Sequence, residues 1–131
     1  MENAPAGSWR RQDANYNMIG SKCDKCGTVY FPSRIICRNC GREGKLKEMK
    51  FSGEGTVFSY TVIRVPPHAF RETAPYTVAV VKTKEGPFVE GHIVDNGKKP
   101  EIGSQVRTVL RRMTVDGSEG LIHYHFKFEL V

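Results

Sequence analysis

From about residue 54 onward the chain runs in short stretches where apolar and polar residues alternate, separated by turn-forming residues. The last stretch is the most regular. In IHYHFKFEL (122–130), Ile122, Tyr124, Phe126, Phe128 and Leu130 alternate without a break against His123, His125, Lys127 and Glu129. A period of two over this length predicts a strand with one buried face. TVFSYTVIRV (56–65) places Phe58, Tyr60 and Val62 on one face in the same way, and SQVRTVLRRM (104–113) does so for Val106, Thr108 and Leu110. PYTVAVVKT (75–83) and PFVEGHIVD (87–95) are joined by the short, glycine-containing KEG, a hairpin signal. Five strands with turns between them and no amphipathic helix predict a mainly β protein built on a five-stranded antiparallel barrel. An OB-fold is the first choice, and another five- or six-stranded barrel the alternative. Only SWRRQDANYN (8–17) looks helical, with poor periodicity, and there is no internal repeat.

Size and composition narrow the class. At 131 residues, 39% hydrophobic and 26% charged, the chain suits one compact domain, or a small domain with an appendage. MENAPAGSW has neither a basic n-region nor an apolar h-region, so no signal peptide is expected. No apolar run approaches the ~18 residues of a membrane span. A cytoplasmic protein is expected, in which paired cysteines serve more often as metal ligands than as disulfides. The net charge of +6 is uneven: residues 1–50 carry ten Lys/Arg against five Asp/Glu, residues 51–131 ten against nine. The first half is thus basic, and such a patch attracts phosphates of any origin.

All four cysteines fall in KCDKCGTVYFPSRIICRNCG (22–41), as Cys23-x2-Cys26 and Cys37-x2-Cys40. Each Cys-x-x-Cys forms a tight turn that aims two sulfurs at one point, and two turns supply four thiolates for tetrahedral Zn²⁺. Gly27 and Gly41 follow the second cysteine of each pair, where positive φ often closes the knuckle. TVYFPSRII between the pairs is rich in β-branched and aromatic residues, as a short hairpin would be. The expectation is a zinc ribbon holding one structural ion, preceded by a short helix. Two disulfides or a thioredoxin-like redox pair are the alternatives. A catalytic ion is disfavoured because four cysteines close the coordination shell.

The remaining sequence offers little for catalysis. G-x-S-x-G, P-loop and G-x-G-x-x-G patterns are absent. His123 and His125 lie on the polar face of the last strand, His92 sits mid-strand, and Glu54, Glu90 and Asp95 form no defensible acid–base couple. The loop VPPHAFRETAPY (65–76) is stiffened by Pro66, Pro67 and Pro75 and carries His68, Phe70 and Arg71. It reads either as a partner anchor or as a barrel connection whose Phe70 caps the barrel end. Trp9, flanked by Arg10 and Arg11, docks either onto the protein's own ribbon or onto another subunit.

A ribbon followed by a barrel, in GSKCDKCGTVYFPSRIICRNCG (20–41), GEGTVFSYTVIRVPP (53–67), APYTVAVVKTKEGPFVEGHIVD (74–95) and IGSQVRTVLRR (102–112), closely resembles the zinc-ribbon plus OB-fold family of acyl-CoA-associated proteins, formerly a domain of unknown function. The resemblance implies an N-terminal arm over 1–20, a rubredoxin-like zinc ribbon over 21–45 and an OB-fold barrel over 46–131. It also implies a non-catalytic scaffold, of archaeal type, that bridges acetoacetyl-CoA thiolase and 3-hydroxy-3-methylglutaryl-CoA synthase in the mevalonate route to isoprenoids. Relatives pair with other thiolase-like enzymes or with aldolases. Coenzyme A is a further candidate ligand. For it or for a partner, charge and location nominate Lys22, Lys25, Arg34 and Arg38 on the ribbon, with Phe31 and Ile35 as apolar contacts between the knuckles. Nucleic acid is the rival partner, since ribbons and OB-folds both bind it. It is disfavoured because the barrel is nearly neutral and because Phe58, Tyr60, Tyr124, Phe126 and Phe128 read as interior.

Overall fold

A computed structural model describes residues 5–115, 118 and 120–131. The chain enters through two short helices, α1 (Pro5–Arg10) and α2 (Gln12–Asn17), which break at Arg11. Helices this short are unstable alone, and α2 is held by contact with the last strand of the barrel. It ends at Met18, whose backbone is left-handed (φ 48°) and whose side chain is fully buried.

That turn feeds a three-stranded antiparallel sheet in the order β2-β1-β3: β1 (Ile19–Cys23), β2 (Val29–Tyr30) and β3 (Leu46–Lys50). Gly20 of β1 permits the close packing here, because a Cβ at that position would meet the Tyr30 carbonyl and the Phe51 ring. The hairpin expected between the cysteine pairs does not form: that segment contributes only the two-residue β2, which pairs with β1 across the first Cys-x-x-Cys turn. Along its other edge β1 pairs with β3 through all five of its residues. The mostly charged segment LKEMK is therefore itself a strand.

The barrel comprises β4 (Glu54–Ile63), β5 (Tyr76–Thr83), β6 (Phe88–Ile93), β7 (Gln105–Val115) and β8 (Ile122–Leu130), closed in the order β4-β5-β6-β8-β7. The expectation of an antiparallel barrel needs correction. β6 and β8 are parallel, registered at Ile93↔Phe128, with the Val94 N–H donating to the Phe128 carbonyl at 2.8 Å. The reason is arithmetic: strand directions cannot alternate around a closed ring of five, so at least one neighbouring pair must run parallel.

The core holds Val57, Ala79, Val81, Val89, Ile93, Val106, Phe126, Phe128 and Leu130. Gly91 faces this interior, and a Cβ there would lie 2.7 Å from the Phe128 ring. Met18 and Phe51 belong to the same cluster. Phe31, from the ribbon, reaches both Phe51 (ring centroids 5.4 Å) and Phe126 (5.8 Å). Ribbon and barrel thus share one apolar core.

The face assignment of β4 also needs correction. A bulge between Val57 and Ser59 leaves Phe58 outside the pairing, so Phe58 leaves the face of Tyr60 and Val62 and packs edge-on against Phe88. Tyr60 and Val62 stand opposite Ala79 and Thr77, yet both are largely exposed. Tyr124 and Leu110 are also exposed, although Phe126 and Phe128 on the Tyr124 face are buried as expected.

Candidate metal centre and surrounding surfaces

Two equivalent turns build the cysteine site. The Gly27 N–H donates to the Cys23 carbonyl (2.8 Å) and the Gly41 N–H to the Cys37 carbonyl (2.9 Å), with both glycines at positive φ (77° and 60°). Gly44 lies so close that a Cβ would come within 2.7 Å of the Cys37 Cβ. The four Sγ atoms of Cys23, Cys26, Cys37 and Cys40 all lie within 4.8 Å of one another, and Cys26 and Cys37 approach to 3.5 Å. All four cysteines are free. Ligands at ~2.3 Å around a tetrahedral ion sit roughly 3.8 Å apart, so the cluster matches a closed site of four thiolates and not a pair of disulfides.

The electrostatics agree. The Cys37 thiol is drawn down to about 6, first by the Tyr30 hydroxyl and then by the Cys40 N–H. Cys40 is pushed up to about 12, by burial first and then by the neighbouring cysteines. Hydrogen bonding to Thr28 lowers Cys26. Neighbouring sulfurs that resist ionising together are what a dication resolves, since it stabilises every thiolate at once.

Tyr30 is a participant that the sequence reading missed. Its hydroxyl oxygen accepts from the Arg38 N–H (2.9 Å), which leaves its own proton for Cys37 Sγ at 3.5 Å. Ion pairs brace the surroundings: Lys25 with Glu43 across the two knuckles (3.0 Å) and Lys47 with Asp24 (2.9 Å).

The nominated contact residues fall into two groups. Trp9 and Arg10 on α1, Lys22 on β1, and Arg38 are exposed. So is Arg34, whose guanidinium lies over the Tyr30 ring (5.3 Å). Ile35 is 96% exposed and adjoins the exposed Ile36, so the tip between the knuckles presents apolar surface. Phe31 does not join it. Its half-buried ring packs at the junction with the barrel. In the 65–76 loop, His68–Phe70 forms a single 3-10 turn with His68 and Arg71 exposed. Phe70 packs on Tyr76 (5.5 Å) and His92 (5.2 Å).

Comparison with known proteins gives this architecture a family. Residues 15–45 match the rubredoxin-like zinc ribbon domain of ChsH2, and residues 48–111 match the ChsH2 C-terminal OB-fold domain. The chain belongs to the ChsH2-type zinc-ribbon and OB-fold family. Within this family it is 49% identical to a DUF35 domain-containing scaffold protein of Methanothermobacter thermautotrophicus, over 93% of this chain and 92% of that one. A scaffold protein of the same description from Methanocaldococcus jannaschii is 46% identical, over 93% and 87% of the two chains. Among solved structures, the Ltp2-ChsH2(DUF35) aldolase superposes with a TM-score of 0.67 at 27% identity, covering 95% of this chain and 89% of that one. A family described as zinc ribbons fits the four thiols found here, and no helix among the described residues is long and apolar enough to cross a membrane.

Proposed function

We propose that this protein is a non-catalytic cytoplasmic scaffold that bridges acetoacetyl-CoA thiolase and 3-hydroxy-3-methylglutaryl-CoA synthase, with one structural Zn²⁺ in its ribbon. The observation that carries the reading is near-full-length identity of 49% to a relative described as a scaffold protein. The surface is compatible with docking. A metal-braced tip exposes Ile35 and Ile36 beside Arg34, and the barrel exposes the Phe58–Phe88 pair. Apolar and arginine side chains on a rigid support are the usual material of binding hot spots. Chemistry supplies a motive: thiolase condensation of two acetyl-CoA molecules is uphill, so a neighbouring synthase that consumes the product draws it forward.

A second reading, pairing with a thiolase-like aldolase, is favoured by the likeness to the Ltp2-ChsH2(DUF35) aldolase. One experiment separates the two. Tagged protein is recovered from native lysate at about 0.15 M salt, where exposed charges are screened beyond ~8 Å, and its companions are identified by mass spectrometry. Thiolase and synthase in fixed ratio are expected, and Ile35→Asp combined with Arg34→Glu should release at least one of them while the metal is retained. An aldolase as sole companion selects the second reading, and retention of both enzymes by the double variant removes the tip from the interface.

A further inference from the structure

The tip between the knuckles has no regular structure, yet it is held at several points. Residues 31–36 carry neither helix nor strand. The Phe31 ring fixes their start at the barrel junction, and Cys37 in the sulfur cluster fixes their end. Between the two, the Arg34 N–H donates to the hydroxyl of Ser21 at 3.0 Å. Ser21 is buried in β1, directly opposite Tyr30 of β2. The Arg34 guanidinium lies over the Tyr30 ring, and the Tyr30 hydroxyl accepts from the Arg38 N–H just past the tip. Two cross-strand neighbours of the ribbon sheet, Ser21 and Tyr30, thus pin the backbone on either side of Ile35 and Ile36.

This anchoring has an apolar end. Ile35 is almost wholly exposed and Ile36 more than half. A slack loop could fold such side chains back onto the protein, whereas a loop pinned on both sides holds them in water. Charge completes the surface. Residues 25–42 contain Lys25, Arg34, Arg38 and Arg42 and no acid. The acids at the two ends of that segment are engaged, Asp24 with Lys47 and Glu43 with Lys25. Arg34, Arg38 and Arg42 are exposed and form no ion pair among the described residues.

We propose that the tip is a preformed knob, with Ser21 and Tyr30 as its positioning residues, that inserts Ile35 and Ile36 into an apolar pocket rimmed by carboxylates on a partner enzyme. The inference rests on the scaffold reading and supplies the chemistry of one client surface. Isoleucines contribute burial, arginines contribute charge complementarity, and a loop ordered in advance loses little further entropy on docking. A second copy of the chain fits poorly, because it would set these arginines against their own kind. A polyanion would satisfy the arginines and leave both isoleucines in water.

The test uses the full-length, zinc-loaded protein and the thiolase-like enzyme recovered with it, both purified and titrated at low and at high salt. Wild-type affinity is expected to fall as salt rises. Arg34→Glu with Arg38→Glu should weaken binding by more than ~10-fold at low salt and flatten the salt dependence. Ile35→Ala should weaken it by about 10-fold with the salt dependence kept. Ser21→Ala removes no contacting group, so a loss of roughly 3- to 10-fold there, at unchanged zinc content and melting temperature, reads positioning alone. Hydrogen exchange at the Arg34 amide of the free protein should be slow in wild type and faster in Ser21→Ala. If Ser21→Ala fails to fold, the wild-type amide alone decides, and fast exchange there overturns the preformed knob. Salt-independent binding, or wild-type affinity in the double arginine variant, overturns the acidic rim. Wild-type affinity in Ile35→Ala overturns the apolar pocket. A dimer of the free protein dissolved by Ile35→Ala, or a 12-nucleotide thymidine oligomer held through Arg34 and Arg38, gives the tip another occupant and overturns the proposal. Recovery of the enzyme with every tip variant at wild-type affinity ends the knob and leaves the scaffold reading intact. Recovery of no such enzyme ends both.

Discussion

At the scale of single residues, the site divides into groups whose identity is fixed by chemistry and groups whose identity is fixed by position. Cys23, Cys26, Cys37 and Cys40 are legible in the sequence because tetrahedral thiolate ligation dictates both residue type and spacing. Gly27 and Gly41 follow, since the knuckle requires positive φ after the second cysteine. Tyr30 is not legible. A tyrosine in a β-rich segment reads as packing, and its role depends on the Arg38 N–H occupying its oxygen so that its proton turns toward Cys37. That bond stabilises the thiolate form, and partners of this kind typically contribute 10–100-fold to metal affinity. Tyr30→Phe is accordingly expected to bind one zinc per chain with affinity lower by about tenfold, measured by competition with a chromophoric chelator. Unchanged affinity would reduce Tyr30 to a packing residue.

At the scale of elements, the strands that alternate cleanly are readable, and those shaped by pairing geometry are not. β8 is evident from its own residues, and the β5–β6 hairpin from its turn. β3 is hidden because its sequence LKEMK is mostly charged, and only pairing with β1 makes it a strand. Phe58 is misassigned because a bulge changes phase without leaving a mark in the pattern. The 65–76 loop shows how elements combine: its Phe70, Tyr76 of β5 and His92 of β6 form one ring cluster. His92 is held below its usual range by burial first, then by Lys127 and His125, with Glu90 opposing them. A histidine with a lowered folded pKa binds more protons unfolded than folded. Its contribution to stability is therefore complete above about pH 6.5, falls as pH drops through that value, and levels off below the folded pKa. The melting temperature of the wild-type protein is expected to fall more steeply than that of His92→Gln between about pH 7.5 and 5.5. Parallel profiles would show that protonated His92 is accommodated at no cost.

At the scale of the molecule, the question is whether the ribbon is an appendage or part of the fold. Two sequence segments with separate motifs suggest independent modules, yet Met18 and Phe51 are buried in the barrel's own cluster, and Phe31 bridges to Phe126. Small ribbons depend on their ion for folding, so metal removal should fray β1 to β3 and withdraw Phe31 from the junction. The barrel would then expose the Phe126 side of its core and lose stability although the cysteine cluster includes no barrel residue. Hydrogen exchange at β5 and β8 amides is expected to accelerate on chelation, and Phe31→Ala should reproduce part of that effect with the metal still bound. Truncation of a half-buried aromatic of this size corresponds to about 2 kcal/mol, below the range for fully buried phenylalanines. Unaltered barrel protection in both cases would make ribbon and barrel independent modules, free to reorient. Coupling would instead mean that the ion fixes the exposed Ile35 tip relative to the barrel, the geometric condition that the proposed bridging of two enzymes requires.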